Sequence, residues 1–263
     1  MTGIRIFQVD AFTDRLFGGN PAAVMLLNSW PEDAVLQALA AENNLAETAF
    51  LVPHGEDWRL RWFTPAVEVP LCGHATLASA AVVMERLEPG RSEVVFHSAS
   101  GLLPVRREGA LYVLDFPART SDAIEPFPAL AAALGAAPEA VFVNAFNYMA
   151  VFAGAHQVRA LAPDIAAVAT IDRPGVIVTA PGDGGHDMVS RYFAPAKGIP
   201  EDPVTGAAHC MLAPYWAQRL GRSELRGWQA SARGGEVLCR VLGGRVELSG
   251  RCVFYLEGEV APW

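Results

Sequence analysis

Read for the spacing of apolar and polar positions, the chain is mostly strand. Runs such as IRIFQVDAF (4–12), AAVMLL (22–27), TAFLVP (48–53), WRLRWF (58–63) and SEVVFHSA (92–99) are short and rich in β-branched and aromatic residues. Composition of this kind, closed off by Gly, Pro, Asn and Asp, predicts strands joined by turns. LYVLDF (111–116), AVFVNAF (140–146), YMAVFAG (148–154), GVIVTAP (175–181) and MVSRYF (188–193) repeat the texture in the second half. The tail EVLCRVL-GG-RVELSG-RCVFYLEGEV alternates and turns at glycines, as an antiparallel meander does. Two longer apolar runs break the two-residue period, CGHATLASAAVVMERL around Gly73 and TGAAHCMLAPYWAQRL around Gly206. Apolar on all sides, they predict buried helices that start at those glycines. Shorter helices are expected at 31–43 and 127–135.

The same parts occur twice. Residues 61–70 read RWFTPAVEVP and residues 191–200 read RYFAPAKGIP, and the helix-like run follows each block. An Arg-Leu pair closes each run, as Arg86-Leu87 and Arg219-Leu220. A repeat near half the chain length implies two similar domains rather than a solenoid. The expected class is α+β, with each domain an antiparallel, barrel-like sheet wrapped on a central helix. Turn residues cluster at 118–126, which places one domain at 1–118 and the other at 119–263, with the last strand near 253–263 able to return to the first.

Just over half of the 263 residues are hydrophobic, enough for a substantial core, and the net charge of −8 disfavours nucleic acid or an anionic membrane as the main partner. The four cysteines form no CxxC pair, the N-terminus enters a strand directly, and no apolar run is long enough to span a membrane. A cytoplasmic protein is expected.

Pro70 and Pro200 end the strands ahead of the two glycines, and the helix starts would leave unpaired the amides of Gly73, His74 and Ala75 and those of Gly206, Ala207 and Ala208. If a pseudo-twofold aims both ends at one cleft, they form an anion cradle. Thr205 is placed to cap the second helix.

The segments GGNPAAV, NNLAETAFL, LCGHAT and EDPVTGAAH, in this order, resemble the PhzF-type phenazine-biosynthesis family, which shares the diaminopimelate epimerase-like fold. The resemblance runs from residue 4 to the C-terminal strands. It implies two like domains with the active site between them, a homodimer in many members, and cofactor-free isomerisation of a small carboxylate or amino-acid-like substrate. Glu47 matches the family's proton-moving glutamate, and desolvation of its charged form would suit it to take and return a proton. His74 and Asp202 match the other catalytic positions. Gly73, Ala75, Gly206, Ala207 and Asn20 match substrate-binding ones. The helix dipole favours a neutral His74. Asp202 is expected to orient a substrate ammonium or hydroxyl, or to relay the proton.

Cys72, just before Gly-His, offers an alternative base, because a helix start can lower a thiol's pKa. It would make the protein an epimerase or racemase. Thr205 and not a second cysteine precedes the other glycine, which disfavours a two-thiol mechanism. Ala46 and Ala207 stand where serines are common in the family, which opens the question of substrate more than that of reaction. A small-acid-binding protein on the same scaffold is the rival outside enzymology. The remaining histidines show no metal-ligand spacing, and neither His74, Asp202 nor His209 reads as part of a metal site. GDGGHD (182–187) reads as a loop, and no nucleotide or nucleophile-elbow motif is present.

Overall fold

A computed structural model of the chain describes residues 3–261. It divides into two compact units. One runs through Asp115 and takes in the chain from Ser249 onward; the other is Phe116–Leu248. The division falls slightly ahead of the turn cluster, and the C-terminal strand groups with the first unit.

In the first unit the strand Ile4–Ala11 lies antiparallel to both Asn20–Leu26 and the C-terminal strand Cys252–Val260. Asn20–Leu26 runs parallel to Glu47–His54, which is antiparallel to Asp57–Phe63. Asp57–Phe63 pairs in parallel with Glu93–Ser98, and a hairpin through Gly101–Glu108 and Leu111–Pro117 follows. The helix Gly73–Val82 packs against four of these strands and buries every residue from His74 to Val82, then widens into a π-helical turn at Val83–Leu87. A helix with no polar face has its place at the centre of a sheet's concave side. Asp33–Asn43, the expected shorter helix, links the first parallel pair.

The second unit repeats the plan. Asn147–Val151 runs parallel to Gly175–Pro181, which is antiparallel to Met188–Phe193, which in turn pairs in parallel with Glu224–Gln229. Glu224–Gln229 and Gly235–Leu242 form a hairpin. The helix Gly206–Leu220 packs on both, and Pro128–Leu134 is the expected short helix.

The α+β class and the two buried helices starting at Gly73 and Gly206 match the pattern of the sequence. The sheets do not match an all-antiparallel plan. Among the described residues each unit holds two parallel pairs, and a helical crossover joins the strands of every one, because strands that point the same way need a long return path. For Asn147–Val151 and Gly175–Pro181 the crossover carries two short helices, Ala155–Ala160 and Ile165–Ala169, absent from the sequence-based expectation. The strand Leu111–Pro117, expected in the second half, belongs to the first unit as far as Asp115, since its partner is the strand Gly101–Glu108 hidden by Pro104 and three charged residues. In the tail, Cys252–Val260 leaves the meander to pair with Ile4–Ala11.

The two registers locate equivalent positions. Thr48 faces Phe63 in one unit, and Val176 faces Phe193 in the other. Phe63 and Phe193 are the matched aromatics of the repeat, so Glu47 corresponds to Gly175. A Cβ at Gly175 would lie 2.2 Å from the Tyr192 hydroxyl and 2.4 Å from Asn147 Oδ1. These two groups hydrogen-bond each other at 3.1 Å and are both buried. Gly175→Ala is therefore expected to lower stability by about 1–3 kcal/mol through overpacking, read as a lower urea midpoint at unchanged m-value.

Candidate active site

In the first unit Glu47 is the opening residue of its strand. The preceding helix ends at Asn44, whose left-handed backbone (φ 48°) turns the chain, and Asn43 Nδ2 ties the strand down by donating to Thr48 Oγ1 at 3.1 Å. Glu47 is consequently drawn inside, only 8% exposed. Asn20 opens the parallel neighbour after Gly18-Gly19. At Gly19 (φ 60°) a Cβ would meet the Ala11 carbonyl at 2.1 Å, so only glycine passes. Cys72 and His74 come from the start of the buried helix and are 6% and 4% exposed.

These four side chains meet. Glu47 Oε2 lies 3.1 Å from His74 Nε2. On the other side of the ring, Asn20 Nδ2 is 3.1 Å and Cys72 Sγ 3.5 Å from His74 Nδ1. The ring N–H does not aim along the line to Glu47 Oε2, which is buried without a directed hydrogen bond. It keeps lone-pair capacity at an ion-pair distance from the imidazole. The Asn20 amide can present either its NH₂ to an unprotonated Nδ1 or, after a flip, its oxygen to a protonated one, so either charge state of the ring finds a partner.

The protonation of His74 differs from the helix-dipole expectation. Burial pushes the ring toward neutrality, but Cys72 and the Glu47 carboxylate push the other way and prevail, raising its pKa well above the ordinary value. A full carboxylate charge at contact outweighs the fractional charge of a helix end. The Cys72 thiol moves opposite to the thiolate expectation: burial first, and Glu47 second, push it up to about 11. At neutral pH it is a thiol, which weakens its candidacy as a base. Glu47, Cys72 and His74 are also the described residues whose ligand atoms, all within 4.8 Å of one another, could hold a metal ion.

The helix start is less open than the chain pattern implied. The Ala75 amide is directed at the Cys72 sulfur, and Thr76 Oγ1 donates to the Cys72 carbonyl at 2.6 Å. Gly73 and His74 keep amides with no acceptor in the first turn.

In the second unit Asp202 is 8% exposed and accepts a hydrogen bond from the Thr205 hydroxyl. Thr205 therefore does not cap its own helix with its side chain, contrary to expectation. Gln229, fully buried and not singled out in the sequence, organises this corner. Its Oε1 accepts from the Thr205 amide at 2.8 Å, and its Nε2 donates to the Asp202 carbonyl at 2.7 Å and to Thr205 Oγ1 at 3.1 Å. The one sequence signal for Gln229 is an amide ending an otherwise alternating strand. The Ala208 amide bonds to the Thr205 carbonyl at 3.2 Å, so of the three expected donors Gly206, buried, and Ala207, exposed, remain without a helical acceptor. His209 is fully buried, with Nδ1 2.8 Å from the Thr205 carbonyl, and burial lowers its pKa to about 4, so it stays neutral. Among the described residues no helix is long and apolar enough to cross a membrane.

Comparison with known proteins gives this geometry a context. Residues 9–258 match the family model for phenazine biosynthesis-like proteins, PhzC-PhzF. An uncharacterized isomerase of Pseudomonas aeruginosa is 49% identical over 257 residues, covering 98% of each chain. The crystal structure of a PhzF-family phenazine biosynthesis protein from Enterococcus faecalis superposes with a TM-score of 0.96 at 41% identity, over 99% of this chain and 100% of that one. A hydroxyproline epimerase from Agrobacterium vitis shares the fold alone, with a TM-score of 0.64 at 11% identity over 98% and 92% of the two chains. With the match running through nearly every strand and helix described above, this chain belongs to the PhzC-PhzF, phenazine biosynthesis-like family.

Proposed function

We propose that the protein is an isomerase that moves a proton between carbons of a small carboxylate or amino-acid-like substrate, with Glu47 as the proton carrier. The observation that carries this reading is the buried Glu47 Oε2, 3.1 Å from His74 Nε2 and without a directed hydrogen bond. A carboxylate already engaged by donors would be a poor base; this one has a free lone pair in a buried site. The isomerase name borne by the Pseudomonas relative supports the same reading.

In this scheme the substrate carboxylate sits on the amides of Gly73 and His74, where negative charge on an enolate-like intermediate is also stabilised. Glu47 removes a proton from the adjacent carbon, leaving the electron pair on the substrate, and returns it to a second carbon, so that substrate and product share one formula. His74 fixes the Glu47 carboxylate, and Asn20 holds His74. Asp202 and the Gly206 and Ala207 amides are assigned to substrate binding, Asp202 for an ammonium or hydroxyl. The scheme uses only side chains and amides of the chain itself.

The test is a library of cyclic and linear amino and hydroxy acids incubated with the protein in D₂O and read by mass spectrometry. At least one acid should gain deuterium and rearrange with wild type and not with Glu47→Gln. Acids that bind tightly without any exchange would make the chain a binding protein. Cys72→Ser is expected to keep turnover within about tenfold of wild type, about 1.4 kcal/mol of barrier. Inactivity of that variant, with deuterium entering a single stereocentre, would make the protein a thiol-dependent epimerase instead.

A further inference from the structure

The trio at the first helix start has a second chemistry. We propose that Glu47, Cys72 and His74 form a binding site for a thiophilic divalent cation, with Zn²⁺ the ion that fits best. The donor set is one sulfur, one imidazole nitrogen and one carboxylate oxygen, a mix that suits zinc; Mg²⁺ and Ca²⁺ require oxygen ligands throughout. Tetrahedral zinc with bonds of about 2.0–2.3 Å holds its ligand atoms roughly 3.3–3.7 Å apart. Here Oε2 to Nε2 is 3.1 Å, Sγ is 4.0 Å from Nε2 and 3.5 Å from Nδ1, and the three ligand atoms all lie within 4.8 Å of one another, so the Cys72 side chain must turn toward Nε2 to close the tetrahedron.

Two further features point to an ion and not to a chance cluster. Glu47 Oε2 is the orphan: its side chain is nine-tenths buried, and it points at the imidazole nitrogen without a directed hydrogen bond. Asn20 stands at 3.1 Å from Nδ1, the nitrogen away from the ion, where it can fix the ring as metal-bound histidines are fixed. The charges also balance. Loss of one proton from the Cys72 thiol and one from the His74 imidazolium to solvent gives a thiolate and a neutral imidazole; the thiolate and the Glu47 carboxylate neutralise the 2+ ion, and a fourth position stays open for water. Because Glu47 and Cys72 are far apart in the chain, no spacing motif announces the site. Binding does not depend on the isomerase reading. One consequence does rest on it: an ion here would hold the proton carrier, and Zn²⁺ would act as an inhibitor reversed by a chelator.

Titration of the full-length, metal-free chain with Co²⁺ tests the site without any substrate. The expected result is one ion per chain with a thiolate-to-cobalt charge-transfer absorption, lost on adding one equivalent of Zn²⁺. Cys72→Ser should lose that absorption, although Cys210, Cys239 and Cys252 are still present. Asn20→Ala should keep it with affinity weaker by about 10- to 100-fold. If Cys72→Ser does not fold, mass-spectrometric mapping of iodoacetamide labelling on wild type replaces it, with Zn²⁺ expected to slow alkylation of Cys72. No absorption in wild type, or an absorption that survives Cys72→Ser, or Cys72 labelling indifferent to Zn²⁺, overturns the proposal. The isomerase reading fails or stands separately, in the metal-free deuterium assay.

Discussion

Glu47→Gln is expected to lower kcat by about 10²- to 10⁴-fold, the range a positioned acid-base group contributes, while leaving the folded structure intact. Glutamine matches glutamate in size and still offers an oxygen toward His74 Nε2, so packing at the start of the strand is preserved. What it lacks is a carboxylate able to take a proton. Because the lost interaction is made with a reacting atom, kcat and kcat/KM should fall together, with little change in substrate affinity. A second readout comes from His74. Burial lowers its pKa, and Cys72 and the Glu47 charge raise it, so loss of the Glu47 charge in the variant should make it drop, which ring-proton NMR titration follows directly. A variant that retained more than a tenth of wild-type turnover would remove Glu47 from the mechanism, and a His74 titration that did not move would mean that another charge sets it.

Much of this site is visible in the sequence, and its blind spots have physical causes. The glycines at 73 and 206 mark helix starts because the apolar period changes there, and the structure starts both helices at those residues. The resemblance singles out Glu47, His74 and Asp202, and the fold brings Glu47, Cys72 and Asn20 into contact with His74. Strand direction is different. Alternation reports which face a residue takes, not whether its neighbour runs parallel, so the four parallel pairs could not be read from it. Side-chain hydrogen bonds are harder still: Thr205 looks like a cap, yet its hydroxyl donates to Asp202 and accepts from Gln229, which comes from a strand well downstream. The protonation of His74 depends on its contacts with Cys72 and Glu47, and the distance of Glu47 along the chain conceals the second.

The duplication is faithful in scaffold and unequal in chemistry. Glu47 corresponds to Gly175 by register, the N-cap Cys72 to the N-cap Thr205, and His74 to Ala207, since each follows the first glycine of its helix. Every titratable member of the first trio is matched by a residue that does not titrate near neutrality. A mechanism with two equivalent bases, one in each copy, needs titratable groups at both sets of positions. One set is present, which favours a single carrier that collects and returns the same proton over inversion by a matched pair.

His74→Ala should be the most destabilising single change at the site, by about 3–5 kcal/mol in urea unfolding near neutral pH, because it strands the buried Glu47 carboxylate. The effect should carry a sign in pH. The folded-state pKa of His74 lies above its unfolded value, so the ring's contribution is fully present below about pH 6.5 and is lost as pH rises through the raised folded value. The stability gap between wild type and His74→Ala should therefore be widest on the acid side of that window and narrow above it. In a Glu47→Gln background there is no stranded charge, and the same deletion should cost less by about 0.5–3 kcal/mol, the usual coupling between groups in contact. A gap that widened with rising pH, or a double variant in which the two losses simply added, would mean that His74 serves as packing and does not share charge with Glu47.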